Sequence, residues 1–194
     1  MKKFFVSLLF VLCAAVSLLA DDVADVKAVI VKDCELTLKG DFAGALALLA
    51  PDFKGTDTDG MTINYEQCKW MSLALDGKHP EEFMLIVSTY ENNGAMLSAG
   101  QIAQLRQAAR TLEFIAQYEE ANRGVPAKLK DLAALRLKTL EFVSVKVDGD
   151  KAVAVVEYDD MHIKSGAVTR EIDTLSLRKV DGVWFFYRIV TKYK

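Results

Sequence analysis

Tyr158, Asp160 and His162 occupy alternate positions near the end of an apolar, β-branched run. In an uninterrupted strand, residues i, i+2 and i+4 project from one face, so a phenol, a carboxylate and an imidazole would stand together. Inside a pocket the carboxylate would orient the imidazole as a general base while the tyrosine polarises a carbonyl oxygen, which is lyase or isomerase chemistry. The competing account places this strand end in water beside the Ser165-Gly166 turn, or breaks the alternation with a bulge. Asp57 and Asp59 precede Gly60. Paired carboxylates suit hydrolysis or cation binding, but no further acidic ligands follow at calcium-loop spacing, and turn chemistry accounts for both more simply. Tyr65, Trp70, Trp184 and Tyr187 are candidates to line a pocket for a flat apolar ligand, against the alternative that they are plain core.

Other chemistry is argued against by what the 194 residues lack. The chain has two histidines, His79 and His162, and no CxxC, HExxH, GxSxG or glycine-rich phosphate loop. A histidine-based zinc site is therefore disfavoured, no metal or cofactor is implied, and His79 before Pro80 reads as a helix-start residue. The net charge of −3 argues against binding nucleic acid or an anionic membrane surface, both of which need a basic face. A hydrophobic content of 52% is enough for one domain with a core of its own.

Residues 1–20 set the expected compartment. Lys2 and Lys3 precede an apolar run to Leu19, and Ala20 then meets Asp21 and Asp22, the pattern of a secretory signal peptide cleaved after Ala20. The run falls short of the roughly 20 apolar residues that span a bilayer, although a single anchor helix is the alternative. Cys13 lies within the run rather than at its end, which argues against lipid attachment there. A periplasmic or secreted mature chain, 21–194, follows, with no stable membrane insertion once the leader is cleaved. It retains Cys34 and Cys68. In an oxidising compartment these two either form one disulfide, worth about 3–4 kcal/mol in the chain-entropy model, or remain small buried apolar residues.

The elements that must position these groups follow from periodicity. Val26, Val29, Ile30, Cys34 and Thr37 recur at helical spacing and Gly40 stops the helix. Asp41 caps a second helix through Leu49, ended by Pro51. Two short strands around Asp59-Gly60 come next, then a helix from Asn64, whose Gln67 three residues on makes a capping box, closed at Gly77. Residues 78–139 read as helical: one helix from Pro80, with a strand over Leu85–Thr89 as the alternative, a long one from Ser98 to near Gly124, and another from Pro126. After Leu140 the period changes to two. Phe142–Val147, Lys151–His162, Val168–Lys179 and Val183–Thr191 form four strands of an antiparallel meander. The last is apolar on both faces, so each side of the sheet needs a cover.

Lys39-Gly40-Asp41-Phe42, Ala45-Leu46, Leu49-Ala50-Pro51-Asp52-Phe53 and the closing Asp181-Gly182-Val183-Trp184-Phe185-Phe186 resemble the wording of the nuclear transport factor 2-like (SnoaL-like) superfamily. The resemblance covers residues 23–76 and 140–194. It implies an α+β fold, a curved four-to-six-stranded, mostly antiparallel sheet wrapped as a cone around N-terminal helices, with 78–139 inserted. It also implies a pocket inside the cone. Dehydratases, isomerases and cyclases share this fold with non-catalytic binding and partner domains, so the fold decides no chemistry, and no catalytic residue carries over. The expectation is an envelope protein that binds a small apolar molecule or an envelope protein partner without catalysis. Its rivals are a Tyr158, Asp160, His162 enzyme and a structural homodimerisation module.

Overall fold

The computed structural model describes residues 2–76, 79–91, 97–121, 123–162 and 165–194, with side chains in all of these except 2–20, 80, 90, 91, 112, 118, 119 and 121. The side chains of residues 2–20 lie outside the described set, and their backbone continues as one helix, α1 (Lys2–Lys39), into the segment whose Val26 and Ile30 are buried. Gly40 ends α1 at φ 76°, where Asp41 N–H donates back to the Leu36 carbonyl at 2.9 Å. That six-to-one bond needs a left-handed residue, which only glycine supplies without strain.

Asp41 then caps α2 (Phe42–Leu46) by accepting from Gly44 N–H at 2.8 Å. The expected run of this helix to Pro51 is corrected: α2 stops at Leu46, and Pro51 lies inside β1 (Leu49–Thr56). Pairing with the last strand slips between Leu49 and Lys54. Pro51 falls within that slip, where its missing N–H costs no ladder bond. β2 (Thr62–Asn64) returns antiparallel to β1, and Asn64 starts α3 (Tyr65–Leu75) with a complete capping box. Asn64 Oδ1 accepts from Gln67 N–H at 3.1 Å and Gln67 Oε1 from Asn64 N–H at 2.7 Å. Replacing Asn64 by Ala is expected to cost about 1 kcal/mol in urea unfolding; no change would mean that the box is solvated and idle.

Between α3 and the meander lie α4 (Pro80–Glu91), α5 (Ala99–Ala108), α6 (Leu112–Ala121) and α7 (Val125–Thr139). Leu85–Thr89 is helical, as its Pro80 start predicts, and not a strand. The single long helix expected over 98–124 is two, because Thr111 Oγ1 accepts from Phe114 N–H at 3.3 Å and caps a new helix. α3, α4 and α5 enclose a satellite core of Trp70, Leu85 and Leu97. α7 packs along α1 and onto the sheet.

β3 (Glu141–Asp148), β4 (Lys151–Met161), β5 (Val168–Val180) and β6 (Val183–Tyr193) form the meander. Asp181 (φ 49°) and Gly182 (φ 82°) join β5 to β6 as a two-residue turn with both φ positive, the hairpin connection that matches strand twist. Strand order is β2-β1-β6-β5-β4-β3, with β1 parallel to β6 and the other neighbours antiparallel. The curved, unclosed sheet turns Ala154, Val156, Leu175, Leu177, Trp184 and Phe186 toward Val26 and Ile30 of α1, and this is the main core. The outer face leaves Val153 42% exposed, and Val143 on the edge strand is 58% exposed. The cover expected for that side is not supplied by a broad helix contact among the described residues.

Candidate functional site

The inner phase of β4 carries Val156, Tyr158 and Asp160; the facing phase of β5 carries Glu171 and Asp173, and Thr191 of β6 pairs with Asp173. α1 contributes Asp33 and Cys34, one turn beyond Ile30, and α7 contributes Arg136 near its C-terminus. These groups meet around a cavity of about 160 Å³ inside the half-cone, whose polar lining is Asp33, Cys34, Arg136, Tyr158, Asp173 and Thr191. The rest of its wall is apolar. Arg136 and Thr191 also line a wider mouth of about 490 Å³, with Asp160, Glu171 and His162. Arg136 therefore stands between chamber and mouth.

Arg136, Asp160 and Tyr158 have identifiable holds. Arg136 grips Asp160 through Nη2 to Oδ2 at 2.7 Å and Nε to Oδ1 at 3.3 Å, and its guanidinium carbon lies 4.8 Å from the centre of the Tyr158 ring. The Tyr158 hydroxyl donates to Asp173 Oδ2 at 2.7 Å. Asp173 Oδ1 is buried without a hydrogen-bond partner. Burial raises the Asp173 carboxyl above its ordinary range, against the pull of Thr191, Tyr158 and Arg136. Burial also raises the Tyr158 phenol, which stays protonated. Asp33 is pushed up to about 6 by burial, with Arg136 opposing and Asp173 adding to the rise. At the mouth, Glu171 is raised to about 7 by burial and then by neighbouring Asp160.

These shifts fix the sign of a pH effect. A carboxyl easier to protonate in the folded chain adds stability that is full below its unfolded value, 3.8 for Asp33, and is lost as pH rises through about 6 for Asp33 and about 7 for Glu171. The melting temperature is expected to fall between about pH 4 and about pH 7, and Asp33→Asn to flatten the lower part of that fall. A profile that instead rises through this window would show these carboxyls to be stabilised as anions.

The candidates singled out from sequence do not converge. Tyr158 lines the inner chamber, Asp160 is engaged by Arg136 at the mouth, and His162 is exposed in the β4–β5 connection, its Nδ1 3.0 Å from Ser165 Oγ. No hydrogen bond joins Asp160 to His162 among the described residues, so the carboxylate does not orient that imidazole. Trp70 belongs to the satellite core and Trp184 to the main core, while Tyr65 packs at its margin and Tyr187 is half-buried beside the β5–β6 bulge. None of these four lines the chamber. Asp57 Oδ1 accepts from the N–H groups of Asp59 at 3.0 Å and Met61 at 2.8 Å, the self-satisfied turn expected of it. His79 precedes α4 as a start residue, its carbonyl accepting from Glu82 N–H at 3.1 Å.

Cys34 and Cys68 are free, half-buried thiols, on α1 and α3. Burial, with Asp33 nearby, pushes Cys34 up to about 11 and Cys68 up to about 12. Since the thiolate is the reactive form, both should react with an aromatic disulfide reagent far more slowly in the native protein than in denaturant. Two thiols missing from the denatured count would instead reveal a bridge.

Asp33, Arg136, Glu171 and Asp173 were not anticipated from sequence. Three carried a usable signal. Glu171 and Asp173 lie on the same alternating phase as Leu175 and Leu177, so the buried face of β5 runs into two carboxyls. Asp33 likewise lies beside the apolar stripe of Val26, Ile30 and Cys34. Arg136 had no such mark, being one of several basic residues near the end of α7.

No family model and no curated protein matches the chain. Among solved structures it is similar to a nuclear transport factor 2-like protein with a cystatin-like fold from Novosphingobium aromaticivorans, at 14% identity and a TM-score of 0.49, over 94% of this chain and 87% of that one. It is also similar to a nuclear transport factor 2-like protein of unknown function from Silicibacter pomeroyi, at 18% identity and a TM-score of 0.44, over 90% and 98% of the two chains. A ketosteroid isomerase-like protein from Erwinia carotovora aligns at 12% identity and a TM-score of 0.42, over 89% and 95%. These likenesses concern the fold and leave the chemistry to the chain's own residues.

Proposed function

We propose that the mature chain, released from residues 1–20 into the cell envelope, binds a compact, mostly apolar small molecule in the inner chamber. The observation that carries this is the chamber itself: about 160 Å³ of space between sheet and α1, apolar over much of its wall, with its polar groups gathered toward Arg136. Apolar cavities near 150 Å³ take ligands the size of benzene. Arg136 is the one residue of α7 that lines the chamber or the wider space beside it among the described residues.

A second activity has its own support in Asp33. A carboxyl held at about 6, beside Arg136 and the Tyr158–Asp173 pair, is suited to proton transfer on a bound molecule near neutral pH, as an isomerase or lyase requires. Native mass spectrometry of the mature protein, purified gently from its own envelope fraction, tests both. An adduct that survives natively and is lost on denaturation supports the pocket and supplies the ligand's mass. Returning the released molecule to fresh protein separates the two roles: unchanged recovery supports binding alone, and rearrangement or loss of water supports catalysis. A clean apo mass together with failure of small apolar probes to bind counts against both.

A further inference from the structure

We infer that the chamber selects a cation: an amine on a compact apolar body, its ammonium seated between Asp33 and Asp173. This rests on the pocket proposed above and adds the charge of the ligand. The titratable groups facing the chamber and its mouth are Asp33 and Cys34 from α1, Asp57 and Asp59 from the β1–β2 turn, Arg136 from α7, Tyr158 and Asp160 from β4, His162 from the β4–β5 connection, Glu171 and Asp173 from β5, and Tyr193 from β6. Six are carboxyls and one is a permanent cation. The cation is already committed, because Arg136 spends two hydrogen bonds on Asp160 at the mouth. Asp33 and Asp173 in the chamber have no comparable partner of opposite charge.

The second observation is independent of that charge count. Asp173 is only 8% exposed, and while one of its oxygens accepts the Tyr158 proton, the other is buried at the chamber without a well-formed hydrogen bond, with the Thr191 side chain as its polar neighbour. A buried acceptor left unmatched is costly and rare in native structures, and a donor on the ligand removes the cost. An ammonium supplies the donor and, at the same time, the positive charge that two neighbouring carboxyls lack. A carboxylate ligand would do neither. Because the ammonium favours ionised partners, it draws the protons off Asp33 and Asp173 on binding, so affinity should rise with pH across the range where these carboxyls titrate.

Calorimetry with four probes of one shape, benzylamine, benzyl alcohol, toluene and benzoate, decides the matter on the mature protein. Benzylamine is expected to bind at least about tenfold more tightly than benzyl alcohol at about pH 8, and to lose most of that advantage at about pH 5. Asp173→Asn should remove most of the preference while benzyl alcohol still binds; Asp33→Asn serves if the first variant does not fold. Benzyl alcohol or toluene binding as well as the amine, or benzoate binding best, would overturn the inference and leave the pocket standing. Failure of all four probes to bind would overturn the pocket and the inference with it.

Discussion

Trp184→Ala is expected to destabilise the folded chain by about 3–5 kcal/mol, the range for emptying a buried aromatic site. Trp184 is 2% exposed in the main core beside Leu177 and Phe186, and the Lys179 ammonium lies 5.5 Å from its ring centre. It also stands one residue after the point where the Asp181-Gly182 turn delivers β6 to the sheet. Removing the indole thus opens a cavity where the hairpin is registered. In a chain of this size the loss corresponds to roughly 2–4 °C in melting temperature per kcal/mol, so about 6–20 °C in all. Val183, its neighbour, points the other way and is 52% exposed. Val183→Ala should stay within about 0.5 kcal/mol. Urea unfolding of the two variants checks the pair, and equal effects would mean that the strand phase is wrong.

Cys34→Phe is expected to abolish most binding to the chamber while the chain still folds. Cys34 lines the cavity from α1, and a ring placed there occupies the space a benzene-sized ligand would take. Burying such a group is worth about 1.5–3 kcal/mol, so the variant should lose roughly 10- to 150-fold in affinity for a neutral aromatic probe. Because the ring enters existing space, the cost in stability should stay near the low end of the overpacking range, about 1 kcal/mol. Cys68 provides the control. It lines a separate gap of about 140 Å³ between α1, α2 and α3, and Cys68→Ala should leave probe affinity unchanged. Equal losses in both variants would point to a general loosening of the helices.

Local rules in the sequence carried most of the fold. The capping box at Asn64, the helix start at Ser98, the glycine stop at Gly40 and the change of period after Leu140 each correspond to an observed boundary. The misplacements arose where a long-range partner or a weaker cap decided the outcome. Pro51 belongs to a strand because β6 pairs on either side of it, and Thr111 breaks a helix that the apolar stripe alone would continue. The site was less legible for a related reason. Tyr158 was found because alternation within one strand is a local property. Asp33, Arg136 and Asp173 come from three different elements, and only the packing of α1 and α7 on the concave face brings them to one cavity.

The central claim is that this cavity admits a ligand, and methyl NMR of residues 21–194 with benzyl alcohol tests it most directly. Ile30, Leu140, Val156, Leu175 and Ile189 line the chamber. Their methyl signals should shift together, saturably, on addition of the probe, while those of Leu85 and Leu97 in the satellite core stay in place. Shifts confined to Val143 and Val153 on the exposed surface, or no saturable shift at any of the five lining residues, would contradict it.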